Sequence, residues 1–309
     1  MPRPTPKHSK PPALDGLMLA ARQLVDGLYA GRHASPTRGS GAEFHDYRPY
    51  TAGDDLRAID WKLYGRTDRY YLKRFRKETD LNLHLAVDGS ASMAFAALDP
   101  KRSPSHRPSK LDTAKRLAAA LALLAVRQGD RAGLSVFDAE LRCHHPASGS
   151  LRQLQTMTAD LEQTRPAQGP ADLGASLQQL GSALRRRGVV AVISDLLDEP
   201  EGLLRSIDRL RHAGSEVIVF QTLTPDEIDL GGASAQAYRM TDPERDASAS
   251  VQARPPQVAR RYAQLIEQHL QHLRRALAAR DIDYTLVRTD RPLEATLRRY
   301  LLMRSRRAR

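Results

Sequence analysis

The sequence predicts an α/β protein: a doubly wound, mostly parallel sheet with helices on both faces. Short apolar runs at residues 82–87, 132–137, 189–193, 216–221 and 283–287 have the length of buried strands. Between most of them lie longer stretches with apolar residues three and four apart, such as Leu111, Ala114, Ala118, Leu121 and Ala125. Strands alternating with helices imply parallel β-α-β units. Asp88, Asp138, Asp195 and Asp290 each stand at or just after the end of such a strand. In sheets of this kind ligands sit at the carboxyl ends of the strands, where strand order reverses.

Taken in order, residues 1–12 are Pro-rich, basic and expected to be disordered. Leu14, Leu17, Met18, Ala21, Leu24, Val25 and Leu28 then recur at helical spacing and form one stripe, expected to pack on the chain's own domain. Residues 31–77 are unusual. Half of the chain's Phe, Tyr and Trp fall between Phe44 and Phe75, among Glu43, Asp46, Asp54, Asp55, Asp60, Arg48, Arg57, Arg66 and Arg69. That mixture argues for an ordered, paired network, with a strand over 70–77. Residues 13–80 therefore read as a helix plus a small aromatic, charged extension containing β structure, and 81–305 as the α/β domain.

Within that domain, residues 96–110 read as a mobile Pro-, Ser- and Lys/Arg-rich loop beside the first strand end. Residues 141–145 suggest a short edge strand carrying surface histidines, His144 and His145. Helices are expected over 150–163, 172–187 and 200–211, and a hairpin around 242–245. A helix striped by Leu265, Ile266, Leu270, Leu273 and Leu277 follows, and 293–304 is the last one.

Composition narrows the function classes. The 309 residues are 41% hydrophobic, enough for one large domain with an appendage. Lys and Arg number 48 against 36 Asp and Glu, giving +12. The excess is scattered, which favours a solvated basic surface over a nucleic-acid groove. A single cysteine, Cys143, excludes an internal disulfide and a cysteine-rich zinc site. The longest apolar run, 117–126, is too short to span a membrane, and no secretory segment opens the chain. These features lead us to expect a cytoplasmic protein. Nucleotide loops and H-E-x-x-H are absent from the sequence, and Asp88-Gly89-Ser90 lacks the second Asp of aspartyl-phosphate hydrolases. An enzyme is not expected.

The chemistry concentrates where the apolar run 83–87 ends in Asp88-Gly89-Ser90-Ala91-Ser92. One carboxylate and two hydroxyls are hard oxygen donors that suit Mg²⁺ or Mn²⁺. The competing reading is helix capping. The pattern resembles the metal-ion-dependent adhesion site of von Willebrand factor A domains. A longer match runs through Ser40-Gly41-Ala42-Glu43-Phe44-His45-Asp46-Tyr47-Arg48-Pro49-Tyr50 and Gly53-Asp54-Asp55-Leu56-Arg57-Ala58-Ile59-Asp60-Trp61. It is joined by 71–75 and by Ile193-Ser194-Asp195. Together these resemble the bacterial domain-of-unknown-function family number 58.

The resemblance implies a von Willebrand factor A-like, Rossmann-like sheet in which the strands before Asp88 and Asp195 are neighbours. It implies direct ligation by Ser90 and Ser92, with Asp88 and Asp195 acting through water. The middle loop of such sites carries Thr before Asp; here Ala171 precedes Asp172, so the site is degenerate and Asp172 is an open candidate. The resemblance also implies a non-enzymatic adaptor that works with a MoxR-type AAA+ ATPase on a protein client, in assembly or chaperone-like remodelling. The rival readings are nucleic-acid binding through the basic surface and a metal-dependent hydrolase.

Overall fold

The computed structural model describes residues 16–30, 42–51, 59–77, 81–96, 108–167, 172–184, 187–197, 200–229, 238–242, 246–253 and 255–307. The chain divides into two units, residues 1–31 with 81–309, and residues 32–80. The stripe at 14–28 thus belongs to the larger unit, rather than to the segment that follows it in sequence.

In the larger unit, helix α1 (Gly16–Ala30) precedes strand β3 (Asn82–Asp88), helix α3 (Lys110–Arg127) and strands β4 (Arg131–Phe137) and β5 (Leu141–Ser148). Helices α4 (Leu151–Gln163) and α5 (Leu173–Ala183), strand β6 (Val189–Ser194), helix α6 (Pro200–His212) and strand β7 (Glu216–Leu223) follow. The short α7 (Pro225–Ile228), the hairpin β8 (Tyr238–Asp242) and β9 (Asp246–Ala253), helix α8 (Pro255–Ala278), strand β10 (Asp283–Arg288) and helix α9 (Leu293–Arg307) complete it. The smaller unit holds β1 (Ala42–Pro49), α2 (Trp61–Thr67) and β2 (Tyr71–Lys77).

The six-stranded sheet has the order β10-β7-β6-β3-β4-β5. Its ladders are parallel except at the β5 edge, which pairs antiparallel with β4. Strand order reverses between β3 and β6, which lie side by side with Val87 opposite Ile193. This is the neighbour relation expected for the strands before Asp88 and Asp195.

Alternation along the strands separates two cores. Leu85, Val87, Leu134, Val136, Ala191 and Ile193 face α1, α3, α4 and α9; Ala86, Val190, Val192, Val217 and Val219 face α5, α6 and α8. Helix α3 is apolar on nearly every side because it lies between the sheet and α1. On α1 the buried stripe is Leu17, Met18, Ala21, Val25 and Leu28. Full burial of each Leu, Met or Val side chain is worth roughly 1.5–3 kcal/mol.

The smaller unit is a two-stranded antiparallel pair, β1 with β2, bulged between Phe44 and Asp46. Asp60 caps α2 by accepting from the Lys62 and Leu63 amides at 3.0 and 3.2 Å. Tyr64 stacks on Tyr70 with ring centroids 4.5 Å apart. The side chains of Glu43, Phe44, Asp46, Tyr47 and Arg48, and all of Asp54, Asp55 and Arg57, lie outside the described residues.

Val25 is 0% exposed. Val25→Asp is expected to lower the unfolding free energy by roughly 3 kcal/mol, since a carboxylate is left in an apolar layer. The measurement is the urea midpoint; an unchanged midpoint would take α1 out of the core.

Candidate metal centre at the carboxyl rim of the sheet

At the end of β3 the Asp88 carboxylate is 5% exposed and held from two sides. Its Oδ1 accepts from the Ser90 amide at 2.8 Å, and its Oδ2 from the Ser194 hydroxyl at 2.5 Å. The second bond follows from register: Ser194 is the next β6 residue after the Val87–Ile193 pair. The loop beyond Asp88 is pinned by Gly89 N to Phe137 O (2.7 Å) and by Ala167 N to Gly89 O (2.8 Å). A Cβ on Gly89 would stand 3.3 Å from Val136 Cγ1, so the turn has little room for a side chain. The Ser90 and Ser92 hydroxyls lie 3.0 Å apart and bond each other. Helix capping does not account for Ser90, which makes no side-chain cap to the short 3-10 turn at Ala91–Ala94.

Across the crevice, β6 ends in Ser194 and Asp195. Leu196 turns the chain with φ +53°, a left-handed conformation that costs a branched side chain roughly 1–2 kcal/mol. Neighbours hold this turn: Leu196 N donates to Ser194 Oγ (3.1 Å), and His269 Nε2 lies 2.7 Å from the Leu196 carbonyl. Gln221 Nε2 donates to the Asp195 carbonyl (2.7 Å), and Tyr284 OH donates to Gln221 Oε1 (2.6 Å). Strands β7 and β10 therefore brace a residue on the loop after β6.

The Asp195 carboxylate is paired. Lys110 Nζ lies 2.6 Å from its Oδ2 and 2.5 Å from Glu227 Oε1, with the lysine side chain 1% exposed. Glu227 is fixed by a capping box with Thr224, whose amide and hydroxyl donate to Oε2 at 2.8 and 3.0 Å. Lys110 was expected to end a mobile loop; instead it opens α3, and the Ser109–Asp112 capping box explains why the helix starts there. That Ser-x-x-Asp pattern was readable in the sequence, as was Thr224-x-x-Glu227 beyond β7. Neither pattern could show that the two capped turns meet.

Burial, then the Asp195 charge, push the Asp88 carboxyl up to about 7, against a partial pull downward from the Ser194 and Ser90 hydrogen bonds. Burial alone would lower Lys110, but Asp195 and Glu227 outweigh it and raise the ammonium above its ordinary value.

The structure brings Asp88, Ser90, Ser92 and Asp195 to one rim. Asp172 is exposed and caps α5 by accepting from the Ala175 amide at 2.8 Å, which is the capping alternative for that residue. Ala171 and Asp198 lie outside the described residues. His144 and His145 are half-buried rather than surface groups: His144 bonds Ser135 and His145 bonds Asp160.

The donor set suits a hard cation in one checkable respect. Adjacent oxygens around octahedral Mg²⁺ at about 2.0–2.1 Å stand roughly 2.9–3.0 Å apart, and the two serine hydroxyls are 3.0 Å apart. Asp88 supplies charge beside them, while Asp195 shares its charge with Lys110.

A doubly wound, mostly parallel sheet carrying Asp-x-Ser-x-Ser where its strand order reverses defines the class. The chain belongs to the family described as protein of unknown function DUF58, which it matches over residues 46–272. Uncharacterized proteins of Mycobacterium bovis and Mycobacterium tuberculosis are 31% identical over 222 residues, 71% of this chain. The chain spans 66% of their length. Among solved structures it is similar to the conserved hypothetical protein BatB of Bacteroides thetaiotaomicron, with TM-score 0.46, 16% identity, and coverage of 73% of this chain and 99% of that one. It is also similar to the SpRpn10 VWA domain, with TM-score 0.37, 11% identity, and coverage of 69% and 91%.

The raised Asp88 carboxyl makes stability pH-dependent. Folded Asp88 keeps its proton to about 7, whereas the unfolded group loses it near 3.9. Stability is therefore full below pH ~4 and falls by up to roughly 1.4 kcal/mol per unit until about pH 7. Asp88→Asn is expected to flatten that decline and to unfold at a higher temperature than wild type at pH 7.5. Identical pH profiles for the two proteins in calorimetry would contradict it.

Proposed function

We propose that the protein is a non-enzymatic, protein-binding adaptor whose recognition point is the rim formed by Asp88, Ser90, Ser92 and Asp195. What supports this most is the meeting of oxygen donors distant in the chain, with Asp88 hydrogen-bonded to Ser194 106 residues away. Ser90 and Ser92 would hold Mg²⁺ or Mn²⁺ directly, Asp88 and Asp195 through water. The bound ion would supply an open position for an acidic side chain of a partner. One such charge-assisted contact adds specificity and association rate more than bulk affinity. The chain's own residues do the orienting: Gly89 is clamped to β4, Ser194 fixes the Asp88 carboxyl, and the Gln221–Tyr284 pair fixes the backbone of Asp195.

On this reading the partner is a MoxR-type AAA+ ATPase, with a protein client as the second ligand of the complex. The test is capture of purified MoxR-type ATPase by the full chain in Mg²⁺ and in EDTA. Asp88→Ala, and separately Ser90→Ala/Ser92→Ala, are expected to abolish the Mg²⁺-dependent fraction of binding while leaving circular dichroism unchanged. Capture indifferent to EDTA and to both variants would sink the proposal. Salt-sensitive DNA binding in its place would favour the basic-surface reading, because phosphate contacts weaken steeply with salt.

A further inference from the structure

We infer that Lys110 is a tethered internal cation that occupies one carboxylate oxygen of Asp195 and so restrains the rim's affinity for divalent cations. The inference builds on the metal reading above and adds a residue to that site. Asp88, Asp195 and Glu227 are among the carboxyl groups buried at this end of the sheet. Lys110 contacts two of them, at 2.6 and 2.5 Å.

The geometry leaves the ammonium little freedom. Lys110 is the first residue of α3, its amide donates to Phe95 O at 3.0 Å, and the capping box fixes the turn that carries it. Glu227 cannot follow a displaced lysine, because its other oxygen is held by Thr224. On Asp195, Oδ2 is taken by Lys110, and among the described residues Oδ1 has only a long 3.4 Å contact with the Leu197 amide. An ion needs a bare carboxylate oxygen, or a water bound to one, and an ammonium already holds Oδ2 and offsets the carboxylate's charge. Lys110 and an entering cation therefore compete for the same carboxylate, and the side chain is present at unit stoichiometry in every molecule.

The competing account is a purely structural strap, in which Lys110 ties α3 to the loops after β6 and β7 and has no bearing on ions. Mn²⁺ binding by the full chain separates the two, read from the electron paramagnetic resonance signal of the free aquo ion. Lys110→Met is expected to bind Mn²⁺ at least tenfold more tightly than wild type. Lys110→Arg, which keeps the charge, is expected to stay within about threefold of wild type. Lys110→Met/Glu227→Gln removes one charge of each sign, so long-range attraction is unchanged while Asp195 is freed; it too is expected to bind at least tenfold more tightly. If the single variant does not fold, as judged by circular dichroism, this double variant carries the comparison. Equal affinity in wild type and both Met variants would overturn the inference and leave the metal reading standing. Binding by the Met variants but none by wild type would support the inference and overturn a resident ion in the native protein. No Mn²⁺ binding by any of them at millimolar concentration would overturn both.

Discussion

At the carboxyl end of the sheet one buried ammonium, Lys110, holds two buried carboxylates, Asp195 and Glu227, while the buried Asp88 is held by a hydroxyl and an amide. In a poorly polarisable interior, unlike charges attract strongly, but each also loses its hydration. Removing one partner of such a pair typically costs about 3–5 kcal/mol, because the other remains buried and uncompensated. The rim therefore needs exact placement, and the neighbouring backbone supplies it. A left-handed Leu196 turns the loop after β6, Gln221 and Tyr284 hold its carbonyl side, and Thr224 holds Glu227. The same low polarisability that binds Lys110 tightly also lifts Asp88, whose partners among the described residues are a hydroxyl and an amide.

Elsewhere the basic excess serves a different purpose. Arg127 reaches Asp26 between α3 and α1 (2.6 Å), and Arg304 reaches Glu216 between α9 and β7 (2.7 Å). Arg280, just past α8, reaches Asp208 on α6 at 2.9 Å. These pairs join consecutive layers at the surface, where each contributes roughly 0–1 kcal/mol. They distribute the positive charge over several elements instead of concentrating it in one groove. A net +12 is thus compatible with an acidic crevice at the strand ends.

The fold was legible because periodicity is a local property. The runs ending near Asp88, Asp138 and Asp195 gave the strands, and helical spacing gave α3 and α6 to within a few residues and the C-terminal half of α8. The serine pair and its carboxylates were legible as a spaced motif, and their convergence followed from the parallel sheet. Asp172 stayed open in the sequence because a carboxylate at the start of a helix can cap its own turn, as it does here, or bind an ion. Lys110 and Glu227 were missed because each looks ordinary in its own window: a lysine after a basic, Pro-rich stretch, and a glutamate in a capping box. Their meeting spans 117 positions and depends on three loops closing together.

Why the lysine sits where it does follows from the switch point itself. After β3 the chain passes to α3 on one face of the sheet; after β6 it passes to α6 on the other. The two connections diverge, which opens a crevice lined by whatever polar groups end the strands. Asp88 lies on one side of it and Asp195 on the other. A long, flexible stem rooted at the start of α3 crosses from one connection to the next and places its charge beside β6 and β7. A shorter residue there would leave Asp195 and Glu227 facing each other without a cation, and a solvent-borne ion would be drawn into the opening. The length of one side chain thus decides whether the crevice is neutralised from within or from solution.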